Sequence, residues 1–261
     1  MGMHDRLSAN MDGFELSAGA CKDLNEAGVT IVPGPVPTGD LARLGIVYDL
    51  AMASAAPDDI KVASSTTRVR DFVNRGPEFD ALYLHPPLLQ ACSRIIIEPF
   101  RLSTMHARTL RPDLPAQNLH VDFERDRDGW TMVGFIFMVD DFRNDNGATR
   151  FMPGSHLWSA APTDRQGDLK ADRPGQLLAC GPAGSMIIFN GSVWHGHTVN
   201  RSGRPRRSIQ GAYIRRDAES GENLPARMLP ETLARISPLA KYLLAVQPLQ
   251  SSNAQTGPAA A

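Results

Sequence analysis

Two short stretches of this sequence hold side chains that ligate metals. His120-Val121-Asp122, inside QNLHVDF, sets an imidazole and a carboxylate two residues apart. On a strand, residues i and i+2 share a face, so both can meet one ion. Alone the pattern is weak: with 7 His and 28 acidic residues, about 0.75 His-x-Asp/Glu matches arise by chance. A surface His and Asp on an edge strand is the plain alternative. The second stretch, residues 184–216, reads GSMIIFNGSVWHGHTVNRSGRPRRSIQGAYIRR and sets His195 and His197 among apolar strand residues. An imidazole from here would complete a two-His-one-carboxylate triad. Such a triad occupies one face of an iron(II) ion and leaves the opposite positions open. Those positions suit a bidentate 2-oxo acid and O2. Hydrolytic zinc sites more often use three protein ligands and a water in a tetrahedron.

Arg206 and Arg207 follow the histidines. A 2-oxoglutarate cosubstrate presents a distal carboxylate, and burying it requires a planar, permanently charged fork, which favours Arg over Lys. Strand alternation turns only one of the two arginines inward.

The elements that must carry these residues are legible in outline. Residues 17–27 read as a helix, with Ser17 as N-cap and Gly28 just past its end. Thr30-Ile31-Val32 reads as a strand. Residues 39–55 place Leu41, Leu44, Val47, Leu50 and Ala51 on one helical face. Residues 57–83 are polar and weakly periodic, and Pro86-Pro87 opens another helix. Between residues 101 and 216 the pattern changes to eight short strand-like runs, QNLHVDF among them, separated by turn clusters such as Asn144-Asp145-Asn146-Gly147 and Pro153-Gly154-Ser155. Short strands without helical crossovers argue an antiparallel sandwich or jelly roll. Two helices, 230–236 and 238–246, follow, and 251–261 reads as a disordered tail. The expected organisation is a single domain over 1–250, with a helical N-terminal region at 17–98 and a β core at about 100–216.

Together these residues resemble the phytanoyl-CoA dioxygenase-like family of iron(II)/2-oxoglutarate oxygenases. The family's Q-x-x-H-x-D corresponds to Gln117, His120 and Asp122. Its N-G-A-T and P-G-S-H segments correspond to Asn146-Gly147-Ala148-Thr149 and Pro153-Gly154-Ser155-His156. Its distal H-G-x-x-x-N-x-S corresponds to His195-Gly196, Asn200 and Ser202, with Pro205-Arg206 after it. Asn at +5 and Arg at +11 from some histidine arise together by chance only about 0.02 times in such a chain. The resemblance implies a mainly β, cupin-like double-stranded β-helix with flanking helices. It implies His120, Asp122 and His195 as ligands of Fe(II), with His195 chosen over His197 and Arg206 chosen over Arg207 as the anchor of 2-oxoglutarate. Gln117 and Thr149 would contact the 2-oxo-acid end. His197 stands where many relatives carry a small hydroxyl residue, and its ring would face that carboxylate or the substrate. The implied reaction is oxidation by O2 with decarboxylation of 2-oxoglutarate to succinate. Iron halogenases of this type carry Gly or Ala in place of the carboxylate, so Asp122 favours hydroxylation.

The substrate is less legible. His106 and Arg108 alternate with apolar positions of a strand, which could bring them to a pocket, although a satisfied core or surface histidine is the plainer account of His106. Residues 60–80, with Arg68, Arg70, Phe72 and Arg75, and the polar connection 157–175 are lid candidates. The chain has 261 residues and a formal charge of −1, so no global field recruits nucleic acid or anionic lipid. No apolar run approaches the ~18 residues of a membrane span. Three widely spaced cysteines, Cys21, Cys92 and Cys180, fit a reducing cytoplasm rather than a disulfide framework. The expected partner is a small molecule, a secondary-metabolite intermediate rather than an acyl-CoA, and monomer and homodimer both remain open. Two other readings keep the jelly roll: a non-oxidative cupin-type isomerase or epimerase, and a non-catalytic metal-binding module.

Overall fold

The computed structural model describes residues 16–159, 162 and 167–247. Helix α1, Ala18–Glu26, starts where Ser17 Oγ accepts from the Ala20 N–H at 3.1 Å and ends before Gly28, whose φ of +79° suits the helix exit. Strand β1 is Val29–Pro33, α2 is Leu41–Ala53, and two short strands follow, β2 at Ile60–Val62 and β3 at Thr66–Val69. Helices α3 (Asp80–Tyr83) and α4 (Pro86–Ile95) lead into β4 (Phe100–Leu110) and β5 (Met132–Met138). Then come β6 (Thr149–Phe151), β7 (Leu177–Ala179), β8 (Ser185–Asn190), β9 (His195–His197) and β10 (Arg206–Arg215). The described chain closes with α5 (Leu224–Arg227), α6 (Pro230–Arg235) and α7 (Pro238–Leu243).

The strands form a seven-stranded sheet in the order β1-β8-β5-β10-β4-β3-β2 and a three-stranded sheet in the order β7-β6-β9. Neighbours in both are antiparallel. This is the expected jelly-roll architecture, mainly β with flanking helices. Alternation along the central strands sorts side chains between two cores. Val133, Phe135 and Phe137 of β5 and Met186 and Ile188 of β8 pack beneath the helices with Leu88, Leu89 and Cys92 of α4. Ile136, Met138, Ile187 and Phe189 face the other way and meet Phe151 and Ala179 of the small sheet. The same alternation on β10 buries Ile209 and Tyr213 under the helices. It leaves Arg206 and Gln210 to line the space between the sheets. Opposite Ala212/Tyr213 the register of β4 shifts by one residue, because Ser103 has no partner there.

Several expectations need correction. QNLHVDF is not a strand: only His120 makes a β-bridge, to His195, and the chain then bends. The polar stretch 57–83 holds the β2–β3 hairpin at the sheet edge, where Phe72 is fully buried and Arg70 and Arg75 both hold Asp59. It is a wall rather than a separate lid. His85, whose place before two prolines reads as solvated, is instead buried, with Nε2 at 2.9 Å from Pro33 O, which pins the start of α4 to β1. The last helix stops at Leu243. The tail 251–261 and part of 157–175 lie outside the described residues.

One side chain ties the segment before His120 to the small sheet. Arg150, in β6, is fully buried. Its Nη2 donates to Gln117 O at 3.1 Å and Leu169 O at 2.7 Å, and its Nη1 donates to Ala171 O at 2.5 Å. The nearest carboxylate is that of Asp172, at 3.6 Å. Replacement by an apolar side chain strands three carbonyls, each worth roughly 1–3 kcal/mol when left unpaired in the interior. Arg150→Met is therefore expected to lower stability by about 3–5 kcal/mol in thermal unfolding. An unchanged unfolding temperature would contradict the clamp.

Candidate active site

His120, Asp122 and His195 come from two parts of the chain and meet at the bridge between them. His120 and His195 exchange both backbone hydrogen bonds at 3.0 Å, and the Asp122 N–H donates to Gly191 O at 3.0 Å. Gly196 makes the approach possible: a Cβ there would sit 2.9 Å from Asn118 O. One ligand atom from each of the three lies within 4.8 Å of the other two. Asp122 Oδ1 is 3.4 Å from His120 Nε2, and Oδ2 is 3.4 Å from His195 Nε2.

Both imidazoles are oriented by their far nitrogens. Nδ1–H of His120 donates to Asn118 O at 3.0 Å, and Nδ1–H of His195 donates to Val193 O at 3.0 Å. Each Nε2 is thereby turned toward Asp122, the arrangement that metal-ligating histidines use. The His195 ring is buried, stacked on Phe151 at 5.6 Å and tilted against Phe189 at 4.8 Å. Burial alone would raise the Asp122 carboxyl, but the nearby His195 and His120 rings outweigh it and hold the group well below the usual carboxylate range. The carboxylate lies deep among protein atoms yet stays open toward the cavity, its side chain 32% exposed. Two imidazole nitrogens and a carboxylate oxygen converging on one point suit a divalent first-row metal.

The three groups line a cavity of about 780 Å³ between the sheets, with Gln117, Thr149, His197 and Arg206. Arg206 is buried, and its guanidinium lies 3.7 Å from the centroid of the Phe142 ring. Its Nε and Nη1 have no hydrogen-bond partner among the described residues. Burial pushes this guanidinium down to about 9, with Asp140 and Tyr48 opposing. Arg207 projects to the other face of β10. It donates from Nε and Nη2 to Asp140, from Nη1 to Asp49 at 2.8 Å and from Nη1 to Gly45 O at 3.2 Å. Of the two neighbouring arginines, only Arg206 is buried at the cavity with unused donors, and these suit a planar carboxylate.

Gln117 places its Oε1 3.0 Å from Arg108 Nη2 and its Nε2 3.3 Å from His120 Nε2. Thr149 is buried and pairs in register with His197. His197 borders the cavity, but its Nδ1–H donates to Thr198 O at 2.8 Å and its Nε2 accepts from Ser65 Oγ at 2.9 Å. With both nitrogens engaged, its ring aims no free donor at a ligand. Burial and three nearby arginines push it down to about 3, so it is neutral. His156 lies away from this cavity, its Nε2 at 3.2 Å from Asn25 O. Sequence reasoning did not mark Arg150 or Ser65. The one signal for Arg150 is a charged residue inside the apolar run ATRFM.

Comparison with known proteins places these features in a group. The family model described as Phytanoyl-CoA dioxygenase (PhyH) matches residues 21–208. The sequence is 33% identical over 175 residues to Dioxygenase cdmA of Talaromyces verruculosus, covering 59% of this chain and 55% of that one. It is 27% identical over 213 residues to Multifunctional dioxygenase prhA of Penicillium brasilianum, covering 74% and 70%. The chain spans about half the length of several curated relatives it matches. Among solved structures, the carbocyclase SnoK from nogalamycin biosynthesis superposes with a TM-score of 0.63 at 19% identity, over 85% of this chain and 92% of its own. HygX from Streptomyces hygroscopicus, solved with nickel and 2-oxoglutarate, superposes with a TM-score of 0.65 at 16% identity, over 80% and 91%.

A buried, unpaired cation opposes folding, whereas a paired one that loses its partners leaves them stranded. Arg206→Leu is therefore expected to leave the unfolding temperature unchanged or raise it by the equivalent of about 1–2 kcal/mol. Arg207→Leu should lower it by about 1–3 kcal/mol, since it frees Asp140 and Asp49. A marked loss of stability in Arg206→Leu would mean that the guanidinium is compensated in the free protein.

Proposed function

The chain belongs to the phytanoyl-CoA dioxygenase family, and from that premise we propose that it is a non-haem iron(II)- and 2-oxoglutarate-dependent dioxygenase. Its reaction would oxidise, by hydroxylation, a small organic substrate of secondary metabolism, with release of succinate and CO2. The observation that carries this reading is a pairing within one cavity. Three metal-ligating side chains converge at one place, and a buried guanidinium with unused donors lines the same space. A metal-binding module or a non-oxidative jelly-roll isomerase gives that guanidinium no purpose. A dicarboxylic cosubstrate gives it one.

The residues fit the absent groups. His120, Asp122 and His195 would hold Fe(II) through Nε2, a carboxylate oxygen and Nε2. Arg206 would take the distal carboxylate of 2-oxoglutarate, with the Phe142 ring behind its planar face. Gln117 and Thr149 stand where they would meet the 2-oxo-acid end. When bound, the iron with 2-oxoglutarate and O2 supplies the oxidising power to break a substrate C–H bond. The chain orients the reactants and keeps bulk water from the centre. Asn118 O and Val193 O fix the ring orientations, and Phe151 and Phe189 enclose His195. The dioxygenase names of the sequence relatives and the nickel and 2-oxoglutarate in HygX support the same reading. Among the described residues no helix is long and apolar enough to cross a membrane, and the cysteines are free. A reducing cytoplasmic setting suits both.

Anaerobic addition of iron(II) and 2-oxoglutarate is expected to give the weak metal-to-ligand absorption of such a complex in the wild type and none in His120→Ala or His195→Ala. In Arg206→Leu the same absorption should need at least about tenfold more 2-oxoglutarate. A wild-type band in His120→Ala or His195→Ala would reject the triad. An unchanged requirement in Arg206→Leu would reject the anchor.

A further inference from the structure

The oxygenase reading accounts for one of the arginines that line the cavity and leaves Arg68 and Arg108 unused. They are register partners across the antiparallel β3–β4 pair. Directly opposed side chains lie close on one face, and like charges there are destabilising. Neither has a carboxylate ion-pair partner among the described residues. Arg108 donates only to neutral amides, from Nη1 to Gln210 Oε1 at 3.1 Å and from Nη2 to Gln117 Oε1 at 3.0 Å. Arg68 Nε is buried and has no partner. His106 stands on the same wall, its Nε2 also buried without a partner. Burial first, and then Arg68 and Arg108, push its imidazole down to about 3, so it adds no charge and registers the cationic surroundings.

Four carboxylates besides Asp122 line the cavity, those of Asp58, Asp59, Glu219 and Glu222. Asp59 is engaged by Arg70, Arg75 and Arg227, and none of the four forms an ion pair with Arg68 or Arg108 among the described residues. Asp122 is the anion that both unused arginines feel, and in the loaded enzyme it belongs to the metal. A divalent ion and a doubly charged cosubstrate then cancel, as do Asp122 and Arg206. Arg68 and Arg108 remain without a direct ion pair in a partly enclosed space where charge is weakly screened. Met132, Ile136 and Phe189 supply apolar surface beside them.

We infer that the substrate is an oxyanion, a carboxylate on an apolar frame, whose charged end is held by Arg68 with Arg108 beside it. The inference rests on the oxygenase reading and narrows its substrate class. It also explains why a charged pair persists across two strands with no carboxylate in ion-pair contact: the contacting anion arrives with the substrate. The free energy for desolvating it comes from relief of the repulsion between the two guanidinium groups and from charge-assisted hydrogen bonds.

The test uses the protein loaded anaerobically with iron(II) and saturating 2-oxoglutarate, and a matched probe pair, 4-phenylbutyrate and its primary amide, read by isothermal titration. The wild type is expected to bind the acid at least about tenfold more tightly than the amide. Arg68→Gln should erase that preference, and Arg68→Lys should keep part of it. In both variants the concentration of 2-oxoglutarate needed for the metal-to-ligand absorption should stay within about threefold of wild type. The inference is overturned if the amide binds as well as the acid, if neither binds at millimolar concentration, or if Arg68→Gln keeps the preference. It is overturned equally if Arg68→Gln raises the 2-oxoglutarate requirement instead, because the guanidinium then serves the cosubstrate. A wild type that shows no absorption with iron(II) and 2-oxoglutarate defeats the oxygenase reading itself. That outcome is distinct from the others because it appears before either probe is added.

Discussion

A guanidinium removed from water with no carboxylate beside it works against folding, and the strand that carries Arg206 has placed one at the wall of its main cavity. Most of what surrounds it serves to keep that charge unpaired. Asp140, the carboxylate whose charge reaches Arg206, is taken by Arg207 on the opposite face of β10. The Phe142 ring gives the planar cation a surface to rest on without neutralising it. The protein thus holds a preorganised anion site and gives up some stability to keep it ready, the compromise expected where function needs a group that folding disfavours.

The metal-ligating groups are organised by a different device. They sit where an irregular segment crosses the end of the small sheet, and backbone bonds rather than side-chain packing set their positions. His120 and His195 are locked to each other through the main chain, Gly196 allows Asn118 O to pass close, and Arg150 fastens the preceding Gln117 carbonyl from within the barrel wall. The ligand atoms therefore inherit the rigidity of the sheet although two of their three residues lie outside any strand. That suits a site in which a small misplacement of ligands weakens the centre they form.

Much of this was legible in the sequence, for identifiable reasons. Short apolar runs such as TMVGFIFM and SMIIF, bounded by turn clusters, marked the central strands, and proline and glycine punctuation marked most helix starts and turns. The family resemblance carried by His195, Asn200 and Arg206 implied one histidine over His197 and one arginine over Arg207, and the structure sets Arg206 and Arg207 on opposite faces of β10. The expectation of a strand at QNLHVDF came from reading His-x-Asp through strand geometry. The chain instead uses a single bridge and a bend, a local choice dictated by long-range pairing to β9. The β2–β3 hairpin escaped notice because its residues are polar and charged. Its stability comes from Asp59 gathering three arginines and from Phe72 buried beneath it, neither of which has a period. His197 carried a signal, yet its two hydrogen bonds, to Ser65 and Thr198, arise from neighbours distant or irregular in the sequence.

The central claim is that one cavity holds a metal at one place and a carboxylate at another, both fixed by the free protein. Crystals grown with manganese(II) and 2-oxoglutarate, with anomalous scattering to locate the metal, test it most directly. The account expects a single anomalous peak bonded to His120 Nε2, Asp122 and His195 Nε2, and one end of the diacid on Arg206 Nε and Nη1, with the protein side chains moved little. A metal bound elsewhere, or a diacid whose far end leaves Arg206 unpaired, would contradict it.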